Sequence, residues 1–218
     1  EVAALAEVFE GDFLTGEFCN ESDFKKKVKD YSVVHLAMHG ILHARIPILS
    51  TLAFTENRDS LEDNFLEAHE ISYLDFCADL VVLSACETGY GKFQRGEGVM
   101  SLARSFMYAG VPALVVSLWQ VNDQSTSRIM QDFYKNLGNG MHKNEALRKA
   151  KLNYIKKAKG IAAHPAFWSP FIQLGDTRPV KITAKGGGWL WWGLGAGGVL
   201  LIGLLALRLK PKKQEDTI

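Results

Sequence analysis

The sequence predicts an α/β fold, a mostly parallel sheet with helices on both faces, followed by one C-terminal transmembrane helix. Two observations carry the first part. Apolar runs of strand length alternate with stretches of helical period, and two of the runs, Leu80-Val81-Val82-Leu83 and 113–119, are apolar throughout but for Ser117, as strands buried on both faces must be. A third observation carries the second part. From Trp189 to Leu207 no residue is charged, Trp189, Trp191 and Trp192 gather at one end, and Arg208, Lys210, Lys212 and Lys213 flank the other.

The elements follow in order along the chain. A helix capped by Ser22, with Phe24 and Val28 on its inner face, precedes a strand over 31–37. A shorter strand over 51–55 follows a loop containing Pro47, and a helical stretch over 65–74 leads to the strand over 79–86. A helix over 98–108 stops at Gly110 and Pro112, the strand over 113–119 comes next, and a helix over 124–137 stops at Gly138. A long helix over 144–158 carries lysines on its outer face, and 167–174 supplies the final strand.

Domain organisation follows from length and composition. With 218 residues and 47% hydrophobic content the chain buries one ample core but hardly two. The expected division is a domain over 1–176, a linker over 177–188 with a joint at Gly186 to Gly188, a membrane span over 189–207 and a basic polar tail over 208–218. The chain opens at Glu1 in an amphipathic run without an initiator Met, so it reads as the C-terminal piece of a longer polypeptide. Basic residues lie on both sides of the apolar segment, which leaves the side of the membrane open.

Charge and cysteine usage exclude several classes. Lys plus Arg (25) nearly balances Asp plus Glu (24), so no basic field argues for nucleic acid and no acidic excess argues for disorder. Cys19, Cys77 and Cys86 are too few and too irregular for a disulfide framework or a zinc cluster, and the first two read as small buried hydrophobes. His39 and His43 are four apart, but Gly40 and Pro47 argue against the helix a zinc pair of that spacing needs. Gly89, Gly91, Gly96 and Gly98 are spread too widely for a dinucleotide loop, so no cofactor and no metal are expected.

Two strands end in a reactive residue. The first runs His35-Leu36-Ala37-Met38-His39-Gly40 and the second Val82-Leu83-Ser84-Ala85-Cys86-Glu87-Thr88-Gly89. Strand ends on one edge of a parallel sheet bring such groups together, and an imidazole beside a thiol raises the population of the attacking thiolate. Backbone N–H groups at Gly40 and Cys86 are the expected oxyanion donors. By alternation His35 points to the opposite side from Met38 and reads as a packed histidine, while His43 either lines the cleft or is solvent-exposed.

Several separate stretches then agree in order and spacing with one family. His39-Gly40 after a strand, Ala78 through Gly89, Gly96-Glu97-Gly98, Ser117-Leu118-Trp119-Gln120-Val121-Asn122-Asp123, His164-Pro165-Ala166-Phe167-Trp168 and Leu174-Gly175-Asp176 resemble the CHAT peptidase pattern. That group is caspase-like and related to separase. The resemblance implies a caspase-haemoglobinase fold, a protein or peptide substrate cut after a chosen side chain, and His39 with Cys86 as the catalytic pair. It also implies upstream tetratricopeptide repeats and latency relieved by a regulatory partner or self-cleavage. One departure is Asn122-Asp123, where members often have two acidic residues.

In separase a related stretch ends in an Asp beside the substrate pocket; carried over, that residue is Asp123, which implies a basic residue before the scissile bond. Asp123 has a second reading as a helix cap. Trp119 either walls the pocket or packs at the strand end. Glu97 either frames the pocket or starts the next helix, where a carboxylate suits the N-terminus. The expected function is a membrane-anchored cysteine endopeptidase cutting after Lys or Arg. The alternatives are a catalytically silent scaffold or signalling module that binds protein partners, and a thiol transferase sharing the same dyad.

Overall fold

The two continuous apolar runs lie in the middle of a sheet, where both faces are dry. The structure, a computed structural model, describes residues 1–43, 45–56, 62–84, 86–87, 97–119 and 122–183. The first half contributes α1 (Val2–Ala6), α2 (Glu21–Lys27), β1 (Val33–Leu36), β2 (His39–Ile41), β3 (Thr51–Ala53), β4 (Phe65–Glu67) and α3 (Ala68–Ile71). The second contributes β5 (Leu80–Leu83), β6 (Cys86–Glu87), α4 (Glu97–Tyr108), β7 (Ala113–Ser117), α5 (Asp123–Gly138), α6 (Lys143–Lys157) and β8 (Phe171–Gly175).

The larger sheet has the order β1-β5-β7-β8, with β1, β5 and β7 parallel and β8 antiparallel to β7. Every residue of β5 and β7 is buried. Strand alternation sends successive side chains to opposite faces. Leu80, Val82, Ala113 and Val115 pack with Ile129, Met130 and Phe133 of α5 and with Ala146, Leu147 and Ala150 of α6. Val81, Leu83, Leu114 and Val116 pack on the other face with Leu102, Ala103 and Phe106 of α4 and with Ala68 and Ile71 of α3. Each Val, Leu, Ile, Met or Phe side chain among these contributes about 1.5–3 kcal/mol on burial, so the sheet is held from both sides.

A second, smaller sheet has the order β4-β3-β2-β6. β2 and β3 are antiparallel, as are β3 and β4, while β2 and β6 are parallel. Its inner face is Gly40, Leu52 and Leu66, all buried, while His39, Ile41 and Phe65 on its outer face are exposed.

Several local expectations change. Asn20 rather than Ser22 caps α2, its side-chain oxygen accepting from Asp23 N at 2.8 Å. The stretch expected to be helical over 65–74 splits into β4 and the single turn of α3, because Leu66 is drawn into pairing with Leu52 of β3. Two 3₁₀ turns precede β8, which therefore begins at Phe171. Gly175 closes β8 at φ 76°, and a Cβ there would lie 2.2 Å from the Pro112 carbonyl oxygen. Only glycine fits that approach.

The compact unit runs from Glu1 to Thr183. Val180 is buried in the core beneath α5 and α6, and Thr183 O accepts from Glu10 N at 2.9 Å. The transmembrane helix and the single-pass anchor are corrected: no helix among the described residues is long and apolar enough to cross a membrane. The longest, α5, has 16 residues and carries Asp123, Arg128, Asp132 and Lys135, against the roughly 20 apolar residues that spanning requires. Residues 189–207 lie outside the described residues.

Candidate functional site

His39 and Cys86 do not follow the ends of β1 and β5 as bare loop residues. Each begins a short further strand, β2 and β6, and the two are Cα partners in a parallel ladder. The separation between His39 and Cys86 along the chain equals that between Val33 and Leu80, so the β1–β5 register carries over into the second sheet. Ser84 N donating to Leu36 O at 3.1 Å extends the pairing between the two ladders. Partners in register occupy the same face of a sheet at neighbouring-strand spacing, about 4.8 Å.

His39 is exposed, and Gly40 beside it is buried between Leu52 and Glu87, its partners on the two sides. His43 is exposed and its ring shapes a turn, with Nδ1 accepting from Ile46 N at 2.9 Å. Of the other cysteines, Cys77 is exposed, contrary to the buried role expected of it. Cys19 is half-buried, and burial pushes its thiol above the ordinary value.

The residues read as a specificity pocket follow a neighbouring strand. β7 runs parallel to β5, with Val116 opposite Leu83, so both leave the larger sheet at the same end. Trp119 is half-buried just beyond β7 and its indole N–H donates to Ala166 O at 3.1 Å. Asn122 caps α5, its side-chain oxygen accepting from Gln124 N at 3.1 Å and Ser125 N at 3.4 Å. Asp123 is thus the exposed first residue of α5 rather than its cap. Glu97 is the first residue of α4.

The sequence reading missed a polar cluster on the far side of β1. His35 Nδ1 lies 2.9 Å from the Tyr134 hydroxyl, and Nε2 lies 3.0 Å from Glu1 Oε1. Ser84 Oγ donates to Glu1 Oε2 at 3.0 Å. Burial, with the Glu1 carboxylate adding to it, holds the Tyr134 phenol well above its ordinary pKa. Alternation had pointed to His35 as packed, but its partners come from α5 and the chain start, which no local pattern links. A hollow of about 320 Å³ lies beside β1, lined by Phe9, Phe24, Val33 and Tyr134, and His39 is not part of its lining.

Three carboxylates, Glu21, Glu62 and Glu70, converge closely enough to hold a cation. The Lys25 ammonium already takes that place, 2.7, 2.8 and 2.9 Å from them. Burial works against its charge, but the three hydrogen bonds prevail and hold Lys25 above its ordinary pKa. Glu21, 1% exposed, is pushed up by desolvation in spite of Lys25.

The family model described as CHAT domain matches residues 1–176. Human tetratricopeptide repeat protein 28 is 30% identical over 116 residues, and its mouse counterpart 29% over the same length. The matched stretch is 53% of this chain and 5% of each relative, so the chain spans only a small part of the curated relatives it matches.

Proposed function

Because the chain belongs to the CHAT domain family, which is caspase-like, we propose that it is a cysteine endopeptidase working through His39 and Cys86. The observation that carries this reading is the register that makes those two residues direct partners across neighbouring strands. His39 takes the Cys86 thiol proton, and the thiolate attacks the scissile carbonyl. The oxyanion rests on backbone N–H groups at Gly40 and Cys86, His39 passes the proton to the leaving amine, and water releases the acyl-enzyme.

Cleavage follows a Lys or Arg. In support, the helix cap is supplied by Asn122, which leaves the Asp123 carboxylate available at the exposed start of α5. Trp119, its N–H held by Ala166, offers a fixed ring as a pocket wall, and Glu97 opens the helix after the nucleophile. The names of the relatives fit tetratricopeptide repeats upstream of this domain, which would present protein substrates or a regulatory partner.

The test is to incubate the full-length protein and its Cys86→Ala form with reporter peptides carrying Arg, Lys or Asp before the cut, and with a cell lysate read for new N-termini. Cleavage after Arg or Lys that disappears in Cys86→Ala is expected. Equal activity in both forms overturns the dyad, and preference for Asp overturns the role of Asp123. No turnover alongside tight peptide binding by both forms would leave a protein-binding scaffold.

A further inference from the structure

The outer face of the smaller sheet carries a row of residues set by its ladders. His39 is opposite Ala53, and Ala53 is opposite Phe65, while Cys86 partners His39 on the other side. The row therefore reads Phe65, Ala53, His39, Cys86 across four strands. One row along, Ile41 is opposite Thr51. The inner-face partners Leu52 and Leu66 are 0% exposed, yet Phe65 and Ile41 on the outer face are 44% and 43% exposed. Two large apolar side chains thus share a face with the candidate base, Phe65 in its row and Ile41 two residues along its strand, and the described residues leave both exposed. Either one singly would be ordinary; their alignment with His39 is what points to a ligand.

Direction follows from the chemistry. In the proposed cycle the imidazole protonates the leaving amine, so the peptide beyond the scissile bond passes His39 and continues over Ala53 toward Phe65. The residue before the bond points the other way, toward the end of β7 where Trp119 and Asp123 follow. Strands are spaced about 4.8 Å apart, which puts Phe65 roughly 14 Å from the Cys86 position; an extended peptide advances about 3.3 Å per residue and covers that in roughly four residues.

We infer that the outer face of β2, β3 and β4 is a substrate subsite, in which Phe65 and Ile41 receive an apolar side chain of the peptide on the leaving-group side, about three or four residues after the cut. This inference rests on the endopeptidase reading and names a substrate feature that the reading lacks: basic before the bond, aliphatic or aromatic a short distance after it.

The experiment uses the full-length protein and a proteome-derived peptide library, with new N-termini sequenced for the wild type, Cys86→Ala, Phe65→Ser and Phe65→Leu. The expected wild-type result is enrichment of Leu, Ile, Val or Phe at the third or fourth position after the cut. Phe65→Ser loses that enrichment and raises KM for such peptides by about tenfold, and Phe65→Leu restores both, which separates a binding role from a folding defect. Cleavage by the wild type with no apolar preference there, or a preference unchanged in Phe65→Ser, overturns the subsite and leaves the endopeptidase standing. No difference between wild type and Cys86→Ala overturns the endopeptidase and the subsite with it.

Discussion

His39 stands opposite Cys86 three residues beyond the pairing of Leu36 with Leu83, so the candidate dyad keeps the same parallel register as the β1–β5 ladder of the larger sheet. A backbone ladder fixes the two positions more firmly than two independent loops would, because a slip of one residue would also turn Leu80 and Val82 out of their cluster and Val81 and Leu83 out of theirs.

Thiol chemistry should report that relationship directly. A peptidyl electrophile is expected to label Cys86 selectively, and His39→Ala should slow the labelling by roughly 10²-fold or more. Cys77, exposed and outside the strands, serves as the internal control for simple alkylation, with mass spectrometry counting modification at each site. Equal labelling of Cys86 with and without the imidazole would count against activation.

The cluster around His35 predicts a loss of stability from a change that keeps shape. Tyr134→Phe retains the ring that packs on Phe9 and Phe133 but removes the hydroxyl 2.9 Å from His35 Nδ1. A half-buried imidazole nitrogen is then left without its partner, and the expected cost is about 1–2 kcal/mol, read from the urea midpoint. An unchanged midpoint would mean that the nitrogen finds another partner.

At Gly175 sterics and backbone conformation act together. Gly175→Ala must place a Cβ 2.2 Å from the Pro112 carbonyl oxygen at φ 76°, whereas Gly160, at φ 58°, has open space around its own Cβ direction. Gly175→Ala is expected to cost about 2–4 kcal/mol, and Gly160→Ala about 1 kcal/mol. In thermal scans the first should lower Tm by roughly 5–15 °C and the second by only a few degrees.

Asp176 supplies an acid-side dependence. The backbone N–H and the guanidinium of Arg178 hold its carboxyl below the ordinary 3.8, helped by the nearby Lys143 ammonium. As pH falls the unfolded chain takes up the proton first, so the stability tied to Asp176 is present above about pH 4 and is lost as pH drops toward the lowered value. Urea midpoints between pH 6 and pH 3 should fall for the wild type and fall less steeply for Asp176→Asn. That variant is also expected to be the weaker one at neutral pH, since Lys143, 1% exposed, loses its carboxylate neighbour.

The larger sheet and its helices were legible from the chain because double-sided burial leaves an unmistakable composition. Leu80 to Leu83 and Ala113 to Ser117 are strands without a single exposed residue, and α4, α5 and α6 begin within one residue of where periodicity starts them. The family pattern around His39 and Cys86 was readable for a different reason: it is a set of local residue orders, and local order is what a sequence displays. Capping was less legible, since Asn20, Ser22, Asn122 and Asp123 are chemically able to serve and the choice depends on backbone angles one or two residues apart.

What only the tertiary structure decided is long-range pairing. Three-residue strands such as β3 and β4 carry no periodicity long enough to recognise, and Leu66 is a strand residue because Leu52 lies opposite it. The row from Phe65 through Ala53 to His39, and the meeting of Glu1, His35, Ser84 and Tyr134, join segments far apart in the chain. Composition determined which residues needed burial and which bore reactive groups; loop closure and hydrogen-bonded register, properties of the whole chain, determined which of them became neighbours.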